Sequence, residues 1–329
     1  MKYRTFGRLG WQVSQIGFGG WAIGGGSSWG NQDDDESVRT LHKALDLGCN
    51  FIDTAQGYAD GHSERIIGRV LKERKGERIY VATKIPVKAP GAWPPTPYDK
   101  IEDRFPEAFL RERIEFSLRN LQTDCIDLIQ LHTWTRAWNR NPTALEVLRQ
   151  LQKEGKVLGI GISTPEQDQN SLVDLMRGGW LDAVQVIYNI FEQEPAAELL
   201  PVALEHQVGI IVRVAFDEGA LTGKFTAHTQ FAEGEFRASY FAGDRLERTI
   251  RRVEKIKADI GSAEPDVATA ALKFALKPAA VSTVIPGMRT VRQAELNCGV
   301  GSQPPLSDEL ELKLHAHAWQ RGVWYSGKA

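Results

Sequence analysis

Asp53, Tyr58, Lys84 and His132 differ in type, and together they could move a proton onto a carbonyl oxygen. A phenol titrates at about pH 10, too weak an acid to protonate a carbonyl readily at neutral pH. A nearby ammonium favours the phenolate and lowers that value, and a carboxylate holds the ammonium charged and in place. Asp53 would therefore anchor Lys84, Lys84 would bring Tyr58 down, and His132 would hydrogen-bond the substrate oxygen or share the proton. The sequence offers this set neither a nucleophile constellation nor metal-ligand spacing, so its chemistry needs a hydride donor.

These residues close short apolar runs or follow them directly. Eight such runs recur: "SQIGFGG" (14–20), "NFIDTA" (50–55), "IYVATK" (79–84), "IDLIQLH" (126–132), "VLGIGIS" (157–163), "AVQVIYN" (183–189), "GIIVRVA" (209–215) and "VSTVIPG" (281–287). Runs apolar on both faces suit parallel strands with helices on one side and a core on the other. Helical periods lie between them, as over 106–122 with Leu110, Ile114, Leu118 and Leu121. A doubly wound sheet is the rival, and "GFGGWAIGGGSSWG" (17–30) invites it. The dinucleotide fingerprint fails there, because Ala22 holds the third glycine position and the next helix starts only at about Asp34.

The pattern predicts an α/β protein: a single (β/α)8 barrel domain over 1–329, with its active site at the carboxyl ends of the strands. "YRTFGRLGWQVSQIGFG" predicts a hairpin closing the lower end. The gap after the seventh run holds a loop with Phe231, Phe236, Tyr240 and Phe241 that could act as a lid, then helices near 247–260 and 265–277. An extra helix is expected over 306–320, outside the barrel.

With 42 acidic and 40 basic side chains and a pI near 6.4, the chain has no electrostatic footprint for nucleic acid or an anionic membrane. No apolar run approaches the roughly 18 residues of a bilayer span, and "MKYRTFGRLG" lacks a secretory core. The expectation is a cytoplasmic protein whose partners are small molecules; the sequence says nothing of oligomeric state. Cys49, Cys125 and Cys298 are odd in number and far apart, which suits reduced packing residues. No metal is expected, since His315 and His317 sit two apart on a helical pattern and point to different faces.

"FIDTAQGYADGHSERIIGRVLKER", "VATK", "IDLIQLH", "GIST", "VQVIYN", "GALTGK" and "IPGMRTVRQAELN" resemble, in order, motifs of the aldo-keto reductase superfamily across nearly the whole chain. The resemblance implies a (β/α)8 barrel that binds a nicotinamide cofactor in an extended pose and reduces aldehydes or ketones. It places the family's tetrad on Asp53, Tyr58, Lys84 and His132, with Tyr58 as general acid. The cofactor implied is NADPH, preferred over NADH. Asp53, Ser163 and Gln185 match positions at the nicotinamide, and Gly20 and Trp21 match the first loop beside nicotinamide and substrate. Phe216, Asp217, Gly219, Leu221, Gly223 and Lys224 fall in the segment that covers the pyrophosphate. Gly287, Arg289, Gln293 and Asn297 match adenosine-side positions, and the fork of Arg289 suits a 2′-phosphate.

Thr164 stands where an asparagine often follows the serine, and Arg213 where many members stack an aromatic ring on the nicotinamide. Arg213 could pair with a carboxylate such as Asp217 or Glu218, or lie against the nicotinamide and favour its reduced, uncharged form. Substrate would meet Trp21, Tyr58 and His132, with Trp134 lining the pocket because it leaves the active end of a strand. The leading reading is NADPH-dependent carbonyl reduction. The alternative is a redox-responsive nicotinamide-binding accessory subunit, since the superfamily includes potassium-channel β subunits.

Overall fold

The computed structural model describes residues 1–319. Strands β1 (Tyr3–Phe6) and β2 (Trp11–Ser14) form the expected antiparallel hairpin. Fully buried Phe6 and Val13 plug the barrel floor against Phe51, Ala82, Leu128, Ala183 and Ile211. The fit is close. A Cβ on Gly209 would lie 2.7 Å from the Phe6 ring.

Eight parallel strands follow: β3 (Phe18–Gly19), β4 (Phe51–Asp53), β5 (Tyr80–Ile85), β6 (Ile126–Leu131), β7 (Val157–Ser163), β8 (Ala183–Ile187), β9 (Gly209–Arg213) and β10 (Val281–Val284). Each matches one apolar run of the sequence. The sheet closes because Gly17 N–H donates to the Val284 carbonyl at 2.8 Å and Val284 N–H donates to that of Gln15 at 2.9 Å. This is a (β/α)8 barrel, whose closure leaves no exposed strand edge.

Helices wrap the outside, among them Asp34–Asp46, His62–Glu73 and Glu107–Leu121. After β9 come Arg245–Ile260 and Val267–Leu276, close to the expected bounds. The final helix runs Asp308–His315, shorter than 306–320, and Gln320 lies outside the described residues. Among the described residues no helix is long and apolar enough to cross a membrane.

Candidate active site

β4 delivers Asp53 and β5 delivers Lys84 to the same end of the barrel. Lys84 Nζ donates to Asp53 Oδ2 at 2.6 Å, to the Thr54 carbonyl at 2.8 Å and to Tyr58 Oη at 3.2 Å. The other carboxylate oxygen of Asp53 accepts from Gln185 Nε2 at 2.7 Å and Gln130 Nε2 at 3.4 Å. Asp53 and Lys84 are buried, whereas Tyr58 and His132 are half-buried above them, their ring centres 5.9 Å apart and near-perpendicular. The structure thus brings all four sequence-predicted residues together.

The polar stretch that follows Tyr58 is anchored in the core, and Ser63 N–H donates to the Tyr58 carbonyl at 3.4 Å. Fully buried Glu64, in the first turn of the helix His62–Glu73, accepts from Thr83 (2.6 Å), Ser117 (2.7 Å) and Asn120 (2.9 Å). Ser63 Oγ donates to the Gly20 carbonyl at 2.8 Å and accepts from Thr54 at 2.9 Å. A buried carboxylate is tolerated only when its oxygens are satisfied, and these bonds satisfy them.

The titration of Tyr58 corrects the sequence expectation. Burial raises its pKa above the ordinary 10, and the opposing pull of Lys84 does not overcome it. Burial alone would depress Lys84, but the charges of Asp53 and Tyr58 outweigh it and raise its pKa. His132 is held well below its ordinary 6.5 by burial and then by Lys84 and Arg213, so its imidazole is neutral at neutral pH.

Ser163 and Gln185 are buried register partners on β7 and β8. Gly20 packs so closely that a Cβ would lie 2.7 Å from the Asp53 carbonyl, and half-buried Trp21 stacks 6.0 Å from Tyr58. Arg213 pairs with neither Asp217 nor Glu218. Its Nη2 donates to the Thr164 carbonyl at 3.0 Å and its Nη1 lies 3.8 Å from Glu166, because Asp217 turns away to accept from Tyr240 Oη at 3.0 Å. Arg213 Nε is buried and, among the described residues, finds no hydrogen-bond partner.

In the segment after β9, Phe216, Gly219 and Gly223 are half-buried and Lys224 is exposed, but the Leu221 side chain is fully buried. Leu221 therefore belongs to the core, and only its main chain could meet a ligand. Beyond β10, Gly287 is exposed, Gln293 Oε1 accepts from Arg289 N–H at 2.6 Å, and Asn297 reaches the Gly287 carbonyl at 3.5 Å. Arg289 donates to Gln32 Oε1 and to the Asn31 carbonyl, each at 2.8 Å.

The aldo/keto reductase family model matches residues 15–315. The chain belongs to this family. It is 35% identical over 239 residues to aldo-keto reductase YhdN of Bacillus subtilis, covering 72% of this chain and 69% of the relative. It is 30% identical over 310 residues to the NADH-specific methylglyoxal reductase of Escherichia coli, covering 90% and 92%. The structure of glycerol dehydrogenase AKR11B4 from Gluconobacter oxydans superposes with a TM-score of 0.77 at 29% identity, covering 98% and 97%. Carbonyl and alcohol oxidoreduction with a nicotinamide cofactor is the chemistry of this family.

The mouth of this aldo/keto reductase also differs from expectation. Trp134 is fully buried, donates to Asn139 Oδ1 at 2.8 Å and packs edge-on against Trp138 at 5.1 Å. It lines the core instead of a pocket, since the chain turns inward directly after β6. The indole that stands at the mouth is Trp93, 5.1 Å from the His132 ring, while Trp29 and Phe236 flank Trp21 at 5.2 and 5.4 Å. Sequence reasoning missed Trp93 and Gln130. Both had a signal: Gln130 shares a strand face with His132 two residues on, and Trp93 lies in the loop leaving the strand of Lys84.

Proposed function

We propose that this aldo/keto reductase reduces aldehydes or ketones to alcohols, with Tyr58 as proton donor, Lys84 and Asp53 supporting it, and His132 orienting the carbonyl. One observation carries the reading: a single buried ammonium contacts both the Asp53 carboxylate and the Tyr58 phenol, beneath a neutral imidazole. Three features fit a nicotinamide cofactor at this mouth: adjacent Ser163 and Gln185, the unpartnered Arg213 Nε, and the close approach at Gly20. When bound, the cofactor supplies the hydride.

The chain's own residues handle the proton. Neutral His132 donates a hydrogen bond to the carbonyl oxygen. Tyr58 gives its proton to that oxygen as alkoxide character grows, and an alkoxide is basic enough to take it even from a phenol whose pKa is raised. Lys84, held charged by Asp53, stabilises the phenolate left behind.

NADPH is the cofactor we favour over NADH. The partners of Arg289 are a neutral amide and a main-chain carbonyl, which leave its charge available to a 2′-phosphate. The name of the E. coli relative records the opposite preference for that protein, so Arg289 is the residue to vary.

The test follows NADPH oxidation with a panel of aldehydes. Tyr58→Phe should lose roughly 10²-fold or more in kcat while binding NADPH normally, and Arg289→Gln should weaken NADPH but not NADH. A wild type that binds NADPH and turns over no carbonyl compound would overturn the reading.

A further inference from the structure

The chain that leaves β4 stays paired with β5 beyond Asp53 before it turns away. Thr54 N–H donates to the Ala82 carbonyl at 2.8 Å, and Gln56 N–H donates to the Lys84 carbonyl at 3.2 Å. The loop that carries Tyr58 therefore departs from the sheet at Gln56, against the main chain of Lys84 itself. It then takes a costly turn: Ala59, Asp60 and Gly61 have φ of 49°, 51° and 73°, a region that only glycine adopts freely. Gly61 N–H closes the turn by donating to the Gln56 carbonyl at 2.8 Å. A Cβ on Gly61 would fall 2.4 Å from Asn120 Nδ2, so the end of the turn is seated on the helix Glu107–Leu121.

The side chain of Gln56 is fastened to that same helix. It is only 1% exposed. Its Nε2 donates to the Arg113 carbonyl and to Ser117 Oγ, each at 2.7 Å, and its Oε1 accepts from Arg113 Nε at 2.7 Å. Both amide hydrogens and the amide oxygen are thus satisfied, as burial demands. Ser117 extends the chain of bonds by donating to Glu64 Oε1 at 2.7 Å. Gln56 joins the strand of Lys84, the turn after Tyr58 and a helix of the outer layer. The contact framed by these joints is that of Lys84 Nζ with Tyr58 Oη. At 3.2 Å it lies at the long end of the hydrogen-bond range, and a further displacement of about half an ångström would break it.

We propose that Gln56 is a positioning residue that holds Tyr58 against Lys84, acting through the main chain of the loop and not through the reacting atoms. The proposal rests on the reading of Tyr58 as proton donor. A small displacement of the donor lowers the rate of the chemical step, while binding contacts made elsewhere in the site persist.

The experiment uses Gln56→Met, which keeps the length of the side chain and removes its bonds to Arg113 and Ser117. With NADPH and an aldehyde from the panel above, kcat should fall about tenfold, while KM for the aldehyde and Kd for NADPH stay within about twofold. In a Tyr58→Phe background the same change should cost less than about twofold, because no proton donor remains to be displaced. General loosening of the barrel would raise KM as well and would cost the same in both backgrounds. Arg113→Met removes the bond to Oε1 from a half-buried position and leaves the main-chain acceptor at 113 in place. It should lower kcat by less, and it carries the test if Gln56→Met does not fold. An unchanged kcat in whichever variant folds, or an equal loss in both backgrounds, overturns the proposal. Amide hydrogen exchange over residues 54–61 of the NADPH-loaded protein needs no turnover. If wild type reduces no aldehyde but this loop exchanges about tenfold faster in Gln56→Met, the anchor stands and the proton-donor reading falls. Equal exchange in the two proteins overturns the anchor.

Discussion

At Tyr58 two effects compete, and burial wins over the neighbouring ammonium, so the phenol keeps its proton beyond its ordinary range. Removing Lys84 strips away the main opposition and also leaves Asp53 buried without its ion-pair partner. Lys84→Met should cost roughly 10²- to 10⁴-fold in kcat, and breaking the buried pair should cost about 3–5 kcal/mol of stability. Steady-state kinetics and urea denaturation of the same preparation check both; a variant of native stability would mean that the pair contributes nothing net.

His132 gives a second prediction. Its folded pKa lies below that of the unfolded chain, so its contribution to stability is present above about pH 6.5 and is lost as the pH falls below that. The acid limb of kcat/KM should accordingly fall well below pH 6.5, with no inflection at 6.5 itself. The four polar residues were legible in the sequence because strand ends and their loops are read directly from period. The direction of the Tyr58 shift was not, because burial is a property of neighbours distant in sequence. Trp134 misled for a related reason: a position just past a strand says where the chain leaves the barrel, not which way it turns.

At the scale of elements, the turn after β9 contrasts with the strands. Val214, Asp217 and Glu218 have φ of 56°, 49° and 55°, a left-handed run that non-glycine residues adopt only when surroundings impose it. Asn189 Nδ2 helps to impose it by donating to the Val214 carbonyl at 2.9 Å. The run carries half-buried Glu218 into a cluster with Glu166, Arg213, Arg237 and Arg245, where burial and then Glu166 push its pKa up to about 7 against the pull of the arginines. A raised carboxyl stabilises the fold below the unfolded value of about 4.5, and that contribution is lost as the pH rises through about 7. The same ionisation puts a negative charge in the segment that the family resemblance assigns to the cofactor pyrophosphate. NADPH should therefore bind several-fold more weakly at pH 8 than at pH 6, beyond any change in Glu218→Gln, a difference readable by fluorescence titration. Identical pH dependence in the two proteins would remove Glu218 from cofactor binding. The strands around this turn were plain in the sequence, but the turn was not, since "VAFDEG" carries a single glycine and nothing in its composition announces three left-handed residues beside it.

Across the whole molecule, the barrel separates what holds it together from what reacts. The hairpin plugs the floor through Phe6, which stacks on Trp11 and Phe51 at 5.6 and 5.4 Å, while the polar residues gather at the opposite end. Because the ring stack around Phe6 sits at the opposite end of the barrel from the reacting residues, a defect there should act on stability and leave turnover of the folded protein alone. Phe6→Ala removes a fully buried ring and should cost about 3–5 kcal/mol, with kcat/KM kept at temperatures where the variant is folded. Gly209→Ala should also destabilise, for the opposite reason: its new methyl would press 2.7 Å from the same ring. The two defects occupy one volume, so they should not add. In the double variant the methyl enters space the ring has left, and its loss of stability should be smaller than the sum of the two single losses by more than about 0.5 kcal/mol. Strict additivity in denaturant melts of the four proteins would mean that Gly209 is required for some reason other than room for Phe6. A loss of kcat/KM in folded Phe6→Ala would mean that the floor and the mouth are coupled through the strands.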